Sequence, residues 1–183
     1  VSAPGKRSSE DIKVTDLLID LAEAALIGGD VDAKIDAVVK RYEDITIGLG
    51  LDHTMSEVIA ADLRERVAGD KSNKELFIDS LKASGEDNNA KLIATYFNAA
   101  GIPARYVSPK EGLVVNDLPE RTYALPEAYD NLSMLKDTEE VVIFPGFFGY
   151  TKDGILRTFD RGGSDITGSI LASAVGADLY ENF

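Results

Sequence analysis

The residues with the clearest chemical potential lie in one glycine-rich junction, Arg161-Gly162-Gly163-Ser164-Asp165. A helical pattern follows directly, so the backbone N–H groups of the junction should be unpaired and lie at the positive end of a helix dipole. Glycines let an anion approach the backbone closely, and Arg161 adds a planar donor fork suited to a carboxylate or phosphate. The junction therefore predicts an anion-binding site.

A purely structural explanation of the same junction stays open. Glycine-rich loops before helices are common, and Arg161 could pair with a neighbouring acid such as Asp160 or Asp165. The junction is not a P-loop, because neither Lys-Ser nor Lys-Thr follows the glycines. Spacing alone favours neither explanation over the other.

The elements around the junction can be predicted from apolar spacing and turn residues. Residues 141–144 have the length of a buried strand, which Pro145-Gly146 ends. Lys152-Asp153-Gly154 is a second turn signal. After the junction, one helical face carries Ile166, Ile170, Leu171 and Ala174, with Ser164 as the predicted N-cap and Gly176 as the predicted C-cap.

The amino-terminal half is predominantly helical. The patterns predict a helix from Thr15, as its N-cap, to Gly28-Gly29, and further helices over 30–50, 54–68, 72–83 and 84–101. Residues 30–84 or so form a helical insertion in this interpretation. Glu86 would lie in the first turn of the helix that begins at Ser84-Gly85, where a carboxylate complements the dipole by about 0.3–1 kcal/mol.

The carboxy-terminal half alternates strands and helices. Strands are predicted at 104–108, 112–115, 121–124, 141–144 and 177–180, with a helix over 125–136, and Val1–Ala3 reads as the end of another strand. This order predicts an α/β fold, with a mostly parallel central sheet sandwiched by helices.

Composition excludes several classes of protein. The 183 residues fit one domain, and 44% hydrophobic residues can fill its core. The absence of Cys excludes disulfides, and the only His, His53, argues against histidine-based metal or triad chemistry and is expected to be a surface or capping residue. A net charge of −13 argues against nucleic acid and anionic membranes as partners. With no signal-peptide pattern and no apolar run of about 20 residues, a cytoplasmic protein is expected.

Several segments resemble the aspartokinases, which have the amino-acid kinase fold. PGFFG followed by TFDRGGSDITGSILA is similar to the family's substrate-loop signature. VSAPGK with KVTDLL, SGEDNNAKL and the final LYENF resemble further family segments, in family order and over nearly the whole chain. Two details depart from the common pattern: Asp160 replaces a Gly, and Asn88-Asn89 replaces a Ser-containing pair.

The resemblance implies transfer of the ATP γ-phosphoryl group to the side-chain carboxylate of L-aspartate, the first step of lysine, threonine and methionine biosynthesis. By this resemblance, Glu86 binds the substrate ammonium and Thr15 contacts the substrate through its hydroxyl, whereas Asp165 is catalytic and orients a lysine or the loop backbone. Ser2 and Lys6 contact the nucleotide, Mg²⁺ arrives with ATP, and the complete enzyme is a homo-oligomer. The substrate-binding residues implied at the junction are Arg161, Gly162, Gly163 and Ser164.

Compared with aspartokinases, residues 1–183 correspond to a partial catalytic domain. The family's Lys-Phe-Gly-Gly segment, which carries its catalytic lysine, the second nucleotide segment and the regulatory domains have no counterpart in these residues. We therefore expect the chain alone to fold without catalysing the reaction. Two alternatives stay open: another amino-acid kinase, acting on acetylglutamate, carbamate or a nucleoside monophosphate, and a non-catalytic binding or assembly module.

Overall fold

A computed structural model describes residues 1–118 and 121–182. Pro119 and Glu120, in the predicted turn before 121–124, and Phe183, the last residue of LYENF, lie outside the described residues. The helices are α1 (Val14–Ile27), α2 (Val31–Gly48), α3 (Thr54–Val67), α4 (Lys74–Ala99), α5 (Pro126–Leu132) and α6 (Gly163–Val175). The strands are β1 (Ala104–Tyr106), β2 (Val141–Ile143), β3 (Phe148–Tyr150) and β4 (Leu156–Thr158), and 3-10 turns cover Pro109–Glu111 and Ser133–Asp137.

The first four helices form a bundle around one apolar core. Neighbours in the chain pack together, and α1 also packs on α4, which closes the ring. The buried side chains recur at helical spacing along each helix, as in Val14, Leu18 and Leu21 of α1, so each helix buries one stripe. This confirms the predicted helical region, which in the structure also includes α1 and the whole of α4.

The two helices predicted on either side of Ser84 are wrong, because α4 runs through this position without a break. The hydroxyl of Ser84 donates to the carbonyl of Leu81 at 2.6 Å and does not cap a helix. The hydroxyl of Tyr42 donates to the carbonyl of Gly85 at 2.7 Å from inside the core. Glu86 is therefore in mid-helix, and the predicted interaction with a helix dipole at a first turn is wrong.

The carboxy-terminal half carries two small sheets. β1 pairs with β2 in parallel, with Ala104 opposite Val141, and β3 pairs with β4 as an antiparallel hairpin, with Phe148 opposite Thr158. A second apolar core lies between these strands, α5 and α6. Helix α4 also packs on β1, β2 and β4, so it belongs to both halves of the molecule. The predicted α/β class is confirmed, with shorter strands than expected.

Several predicted strands differ from the structure. Residues 112–115 and 121–124 contribute only isolated bridges, Val114 to Tyr150 and Val115 to Ala124, and 177–180 is not a strand. The sequence patterns do not predict the hairpin β3–β4, although they indicate its turn at Lys152-Asp153-Gly154, where Gly154 has the positive φ of 81° that the turn needs. Val1–Ala3 is not assigned as a strand, yet the carbonyl of Val1 accepts from Gly146 N at 2.8 Å.

For α1 and α6, the helix ends agree with the prediction only at the carboxyl termini. Gly28 and Gly176 end α1 and α6 in the left-handed conformation. Thr15 and Ser164 are not N-caps, because the N-cap positions belong to Lys13 and to Gly162, and neither position has a side-chain cap. The first-turn N–H groups of both helices are consequently left without a capping side chain.

The middle of α4 is held by a polar network on the side away from Gly85. The guanidinium of Arg66 on α3 donates to Asp62 at 2.9 Å and to Asp87 at 3.0 Å. Asp87 also accepts from Lys91 at 2.8 Å and from the hydroxyl of Tyr106 on β1. These bonds tie α3, α4 and β1 together, so they fix the position of α4 relative to the sheet.

We predict that Gly85→Ala destabilises the chain, against the usual order of helix propensity. A Cβ at Gly85 would lie 2.9 Å from the Cβ of Ala3 and 3.1 Å from Cδ1 of Leu18. Overpacking of this kind costs about 1–3 kcal/mol, which exceeds the helix-propensity gain of about 1 kcal/mol. Urea denaturation should show a lower free energy of unfolding.

Gly48→Ala is the matched control for this prediction. Gly48 is also helical, but a Cβ there would meet nothing within 4 Å, so this variant should be neutral or more stable. Equal stability changes for the two variants would contradict the close approach of Ala3 and α1 to α4.

Candidate active site

One cavity of about 310 Å³ brings together most of the predicted site residues. It lies where the amino-terminal segment, α1, the middle of α4 and the start of α6 meet. The predicted site residues that line it are Ser2, Thr15, Glu86, Gly162, Gly163, Ser164 and Asp165. These residues come from four separate parts of the sequence, so their convergence is a property of the fold.

Helices α1 and α6, neither of which has a side-chain cap, both begin at this cavity. Thr15 is the second residue of α1, and Gly163, Ser164 and Asp165 form the first turn of α6. Among the hydrogen bonds of the described residues, none uses the backbone N–H of these four residues as donor. Unpaired N–H groups at two converging helix N-termini contribute a positive potential to the cavity, which Lys13 also lines.

Glu86 supplies the opposite charge from the middle of α4. Its side chain is buried, and its Oε2 atom has no hydrogen-bond partner among the described residues. Burial raises the pKa of Glu86 to about 7, against smaller opposing effects of backbone N–H groups and of the ammonium of Lys82. A carboxylate in this environment could bind a cationic group that enters the cavity.

Phe147 also lines the cavity, although the sequence analysis does not predict it as a site residue. Its φ of 77° is unusual for a residue other than glycine. The backbone is held there by two bonds: its N–H donates to Oγ1 of Thr167 at 3.1 Å, and its carbonyl accepts from Phe159 N at 2.7 Å. The ring leaves no room for a side chain at Gly163, where a Cβ would lie 2.8 Å from Cδ2 of Phe147.

Arg161 lies in a neighbouring cavity of about 650 Å³, away from the other predicted site residues. Phe147 lines both cavities and therefore forms the wall between them. Arg161 is exposed, and neither Asp160 nor Asp165 makes an ion pair with it. The larger cavity holds three further basic residues, Lys82, Arg121 and Arg157.

Asp165, Lys6 and His53 were also singled out in the sequence, and each has a different environment in the structure. The carboxylate of Asp165 accepts from Nδ2 of Asn182 at 3.0 Å, which holds it at the start of α6. Lys6 is exposed and does not line the cavity with Ser2. His53 occupies the N-cap position of α3, where its exposed side chain makes no capping bond.

Within residues 1–118 and 121–182, no group of three or more acidic or His side chains could hold a metal ion. None of the helices in the same residues is long and apolar enough to cross a membrane.

Comparisons with known proteins agree on one family. A model of the amino acid kinase family matches residues 14–183. Aspartokinase 3 of Bacillus subtilis is 54% identical over 184 aligned residues, which cover all of this chain and 40% of that protein. An aspartokinase of Thermus thermophilus is 32% identical over 130 residues, or 70% of this chain and 31% of that protein. The chain belongs to the amino acid kinase family.

Solved structures give the same fold. The structure of Clostridium acetobutylicum aspartate kinase matches 99% of this chain and 39% of its own, with a TM-score of 0.79 and 30% identity. The Escherichia coli aspartokinase III complex with aspartate and ADP matches at a TM-score of 0.67 over 94% of this chain and 39% of its own, and at 21% identity it supports the fold alone. The chain thus spans about two fifths of the length of the Bacillus and Clostridium relatives.

The raised pKa of Glu86 predicts a specific pH dependence of folding. Because the folded-state pKa of about 7 exceeds the unfolded value of 4.5, the unfolded chain loses the proton first as pH rises. Glu86 should therefore lower stability progressively between pH 4.5 and 7, by about 3 kcal/mol in total. Glu86→Gln should remove this loss, so its stability relative to the unmodified chain should increase from pH 5 to pH 8.

Glu23→Gln serves as control, because Glu23 is exposed on α1. Urea denaturation of both variants at pH 5 and pH 8 gives the comparison. If the two variants change the free energy of unfolding by the same amount at both pH values, the carboxylate of Glu86 titrates as an exposed group, and the predicted effect of burial is contradicted.

Proposed function

We propose that the chain is part of the catalytic domain of an aspartate kinase. The complete protein would transfer the γ-phosphoryl group of ATP to the side-chain carboxylate of L-aspartate, giving 4-phospho-L-aspartate and ADP. The observation that carries this proposal is the cavity in which two helix N-termini face one buried carboxylate. The aspartokinase relatives support the same assignment.

The charges of the cavity complement those of a zwitterionic dicarboxylate. L-Aspartate has one ammonium and two carboxylates. The ammonium would pair with Glu86, whose unpartnered oxygen would then gain a charge-assisted hydrogen bond. The free N–H groups of Thr15 and of Gly163 to Asp165 would donate hydrogen bonds to carboxylate oxygens, and the hydroxyls of Thr15 and Ser164 would be further donors.

Arg161 would clamp a substrate carboxylate from the adjacent cavity. It directly precedes the glycines of the first cavity, so a change of side-chain rotamer can bring its guanidinium toward the wall that Phe147 forms. The exposed position leaves this movement unhindered by an ion pair with a described acid. A bidentate clamp would fix the orientation of the substrate, which phosphoryl transfer requires, because its catalysis consists largely of alignment and charge neutralisation.

The other predicted residues would serve the phosphoryl-donor side. Asp165, held by Asn182 at the start of α6, would orient a lysine or the loop backbone near the transferred group. Ser2 and Lys6 would contact the nucleotide, and Mg²⁺ would accompany ATP, since this ion is usually bound through phosphates and water. The complete protein would act in the cytoplasm as a homo-oligomer.

A substrate panel on the full-length protein tests the assignment. ADP release should depend on L-aspartate and should stay at background with N-acetylglutamate, carbamate and nucleoside monophosphates as acceptors. Isothermal titration of residues 1–183 with the same compounds separates binding from turnover. Phosphorylation of one of the other acceptors would reassign the chain within its family. Aspartate binding without turnover by the full-length protein would favour a non-catalytic module.

Arg161→Ala and Arg161→Lys should both impair the full-length protein. The guanidinium fork can hold both oxygens of a carboxylate, and lysine cannot reproduce this geometry. A charged hydrogen bond contributes about 1.5–3 kcal/mol, so kcat/KM for aspartate should fall by roughly tenfold to a hundredfold or more. Melting temperature should barely change, because Arg161 is exposed in the structure.

Arg157→Lys is the matched control for Arg161→Lys. Arg157 lines the same cavity, but its guanidinium is already paired with Asp117. Unchanged aspartate kinetics in Arg161→Lys would remove Arg161 from the substrate site. A lower melting temperature with unchanged kinetics would instead assign it a structural role.

A further inference from the structure

Lys82 lies at the boundary between the two cavities. Its Nζ atom is 5.5 Å from the centroid of the Phe147 ring, within the range of a cation–π interaction. The same ammonium donates to Oδ1 of Asp79 at 2.8 Å, and its side chain lines the larger cavity together with Arg161. Lys82 therefore contacts the Phe147 ring from the larger cavity, whereas Glu86 lines the smaller cavity on the other side of the ring.

Lys82 also shares a helix face with Glu86. The two residues are four positions apart on α4, so their side chains are neighbours one turn apart. Around the buried Glu86, a positive charge one helical turn away favours the ionised carboxylate. The ammonium of Lys82 therefore acts to lower the pKa of Glu86, against the larger effect of burial.

Other groups around Glu86 belong to different elements. Lys13 near the start of α1 and Asp165 on α6 line the same cavity. Tyr42 on α2 donates to the adjacent carbonyl of Gly85. Among these groups, Lys82 alone combines a charge on the face of Glu86 with a contact to the Phe147 ring.

We propose that Lys82 is a positioning residue of the amino-acid site: it supplies positive charge one helical turn from Glu86 and braces the Phe147 ring that separates the two cavities. This inference rests on the proposed function, because it assumes that Glu86 receives the ammonium of an amino acid. Lys82 does not touch the substrate in this arrangement. Its charge favours the ionised form of Glu86, which would receive the ammonium, and its side chain contacts the ring that forms one wall of the cavity.

The chain offers a closely matched control on the same helix. Lys91 also forms an ion pair with an acid of α4, at 2.8 Å from Asp87, and its Nζ lies 5.4 Å from the ring centroid of Tyr106. Lys91 lines neither of the two cavities. Removal of Lys91 should therefore lower the stability of the protein about as much as removal of Lys82 does, but it should leave the amino-acid site unaffected.

The test compares Lys82→Met, Lys82→Arg and Lys91→Met in the full-length protein. Lys82→Met should raise the KM for aspartate on the order of threefold to tenfold at pH 7, because a less ionised Glu86 binds the ammonium more weakly. The difference in aspartate KM between Lys82→Met and the unmodified protein should become smaller toward pH 9, because Glu86 is ionised there even without the charge of Lys82. The KM for ATP should stay constant, Lys82→Arg should restore the aspartate KM, and Lys91→Met should leave its pH profile unchanged.

Carboxyl ¹³C NMR on the same variants provides a readout besides activity. The Glu86 resonance, identified by its loss in Glu86→Gln, should titrate at higher pH in Lys82→Met than in the unmodified protein. If the unmodified protein shows no aspartate kinase activity, the proposed function fails while this titration still tests the effect of Lys82. If Lys82→Met does not fold, Lys82→Gln takes its place. An aspartate KM and a Glu86 titration that both match the unmodified protein would overturn the inference.

Discussion

The burial of one carboxylate in the middle of α4 is the constraint on which the site depends. Glu86 is surrounded by packed helices and leaves one oxygen without a partner, which is unfavourable for a charged group. The fold places this group next to Gly85, where the missing side chain lets Ala3 and α1 approach α4. The buried carboxylate of Glu86 therefore lowers the stability of the ligand-free protein, and a bound cationic group would offset this loss. Such local destabilisation is common at functional sites.

Backbone N–H groups contribute to the positive side of the site, together with Lys13. A protein with a net charge of −13 repels anions at long range, so capture of an anionic substrate needs a local field. Helices α1 and α6 contribute to it, because the backbone N–H groups of Thr15 and of Gly163 to Asp165 donate to no acceptor among the described residues. Donors of this kind have fixed orientation and no side-chain entropy to lose, so they can align a carboxylate without rearrangement.

Much of this arrangement could be predicted from the sequence. Apolar spacing predicted the amino-terminal helices, and the glycines after α1 and α6 marked their ends, because these signals are local. The break assumed at Ser84-Gly85 was wrong because a glycine that serves close packing in mid-helix has the same local appearance as one that starts a helix. The hairpin β3–β4 was missed because strands of three residues are too short to show alternation.

The side-chain details of the site depend on contacts that no local pattern records. The positive φ of Phe147 is held by Thr167 and Phe159, each more than ten residues away in the chain. Such a backbone fixes the ring between two cavities, one with Glu86 and one with Arg161. An amino acid that uses both residues must have its ammonium on one side of this ring and a carboxylate within reach of the other. The wall between the cavities, in addition to the charges, would then contribute to substrate selection, because the ammonium and the carboxylate must reach groups on its two sides.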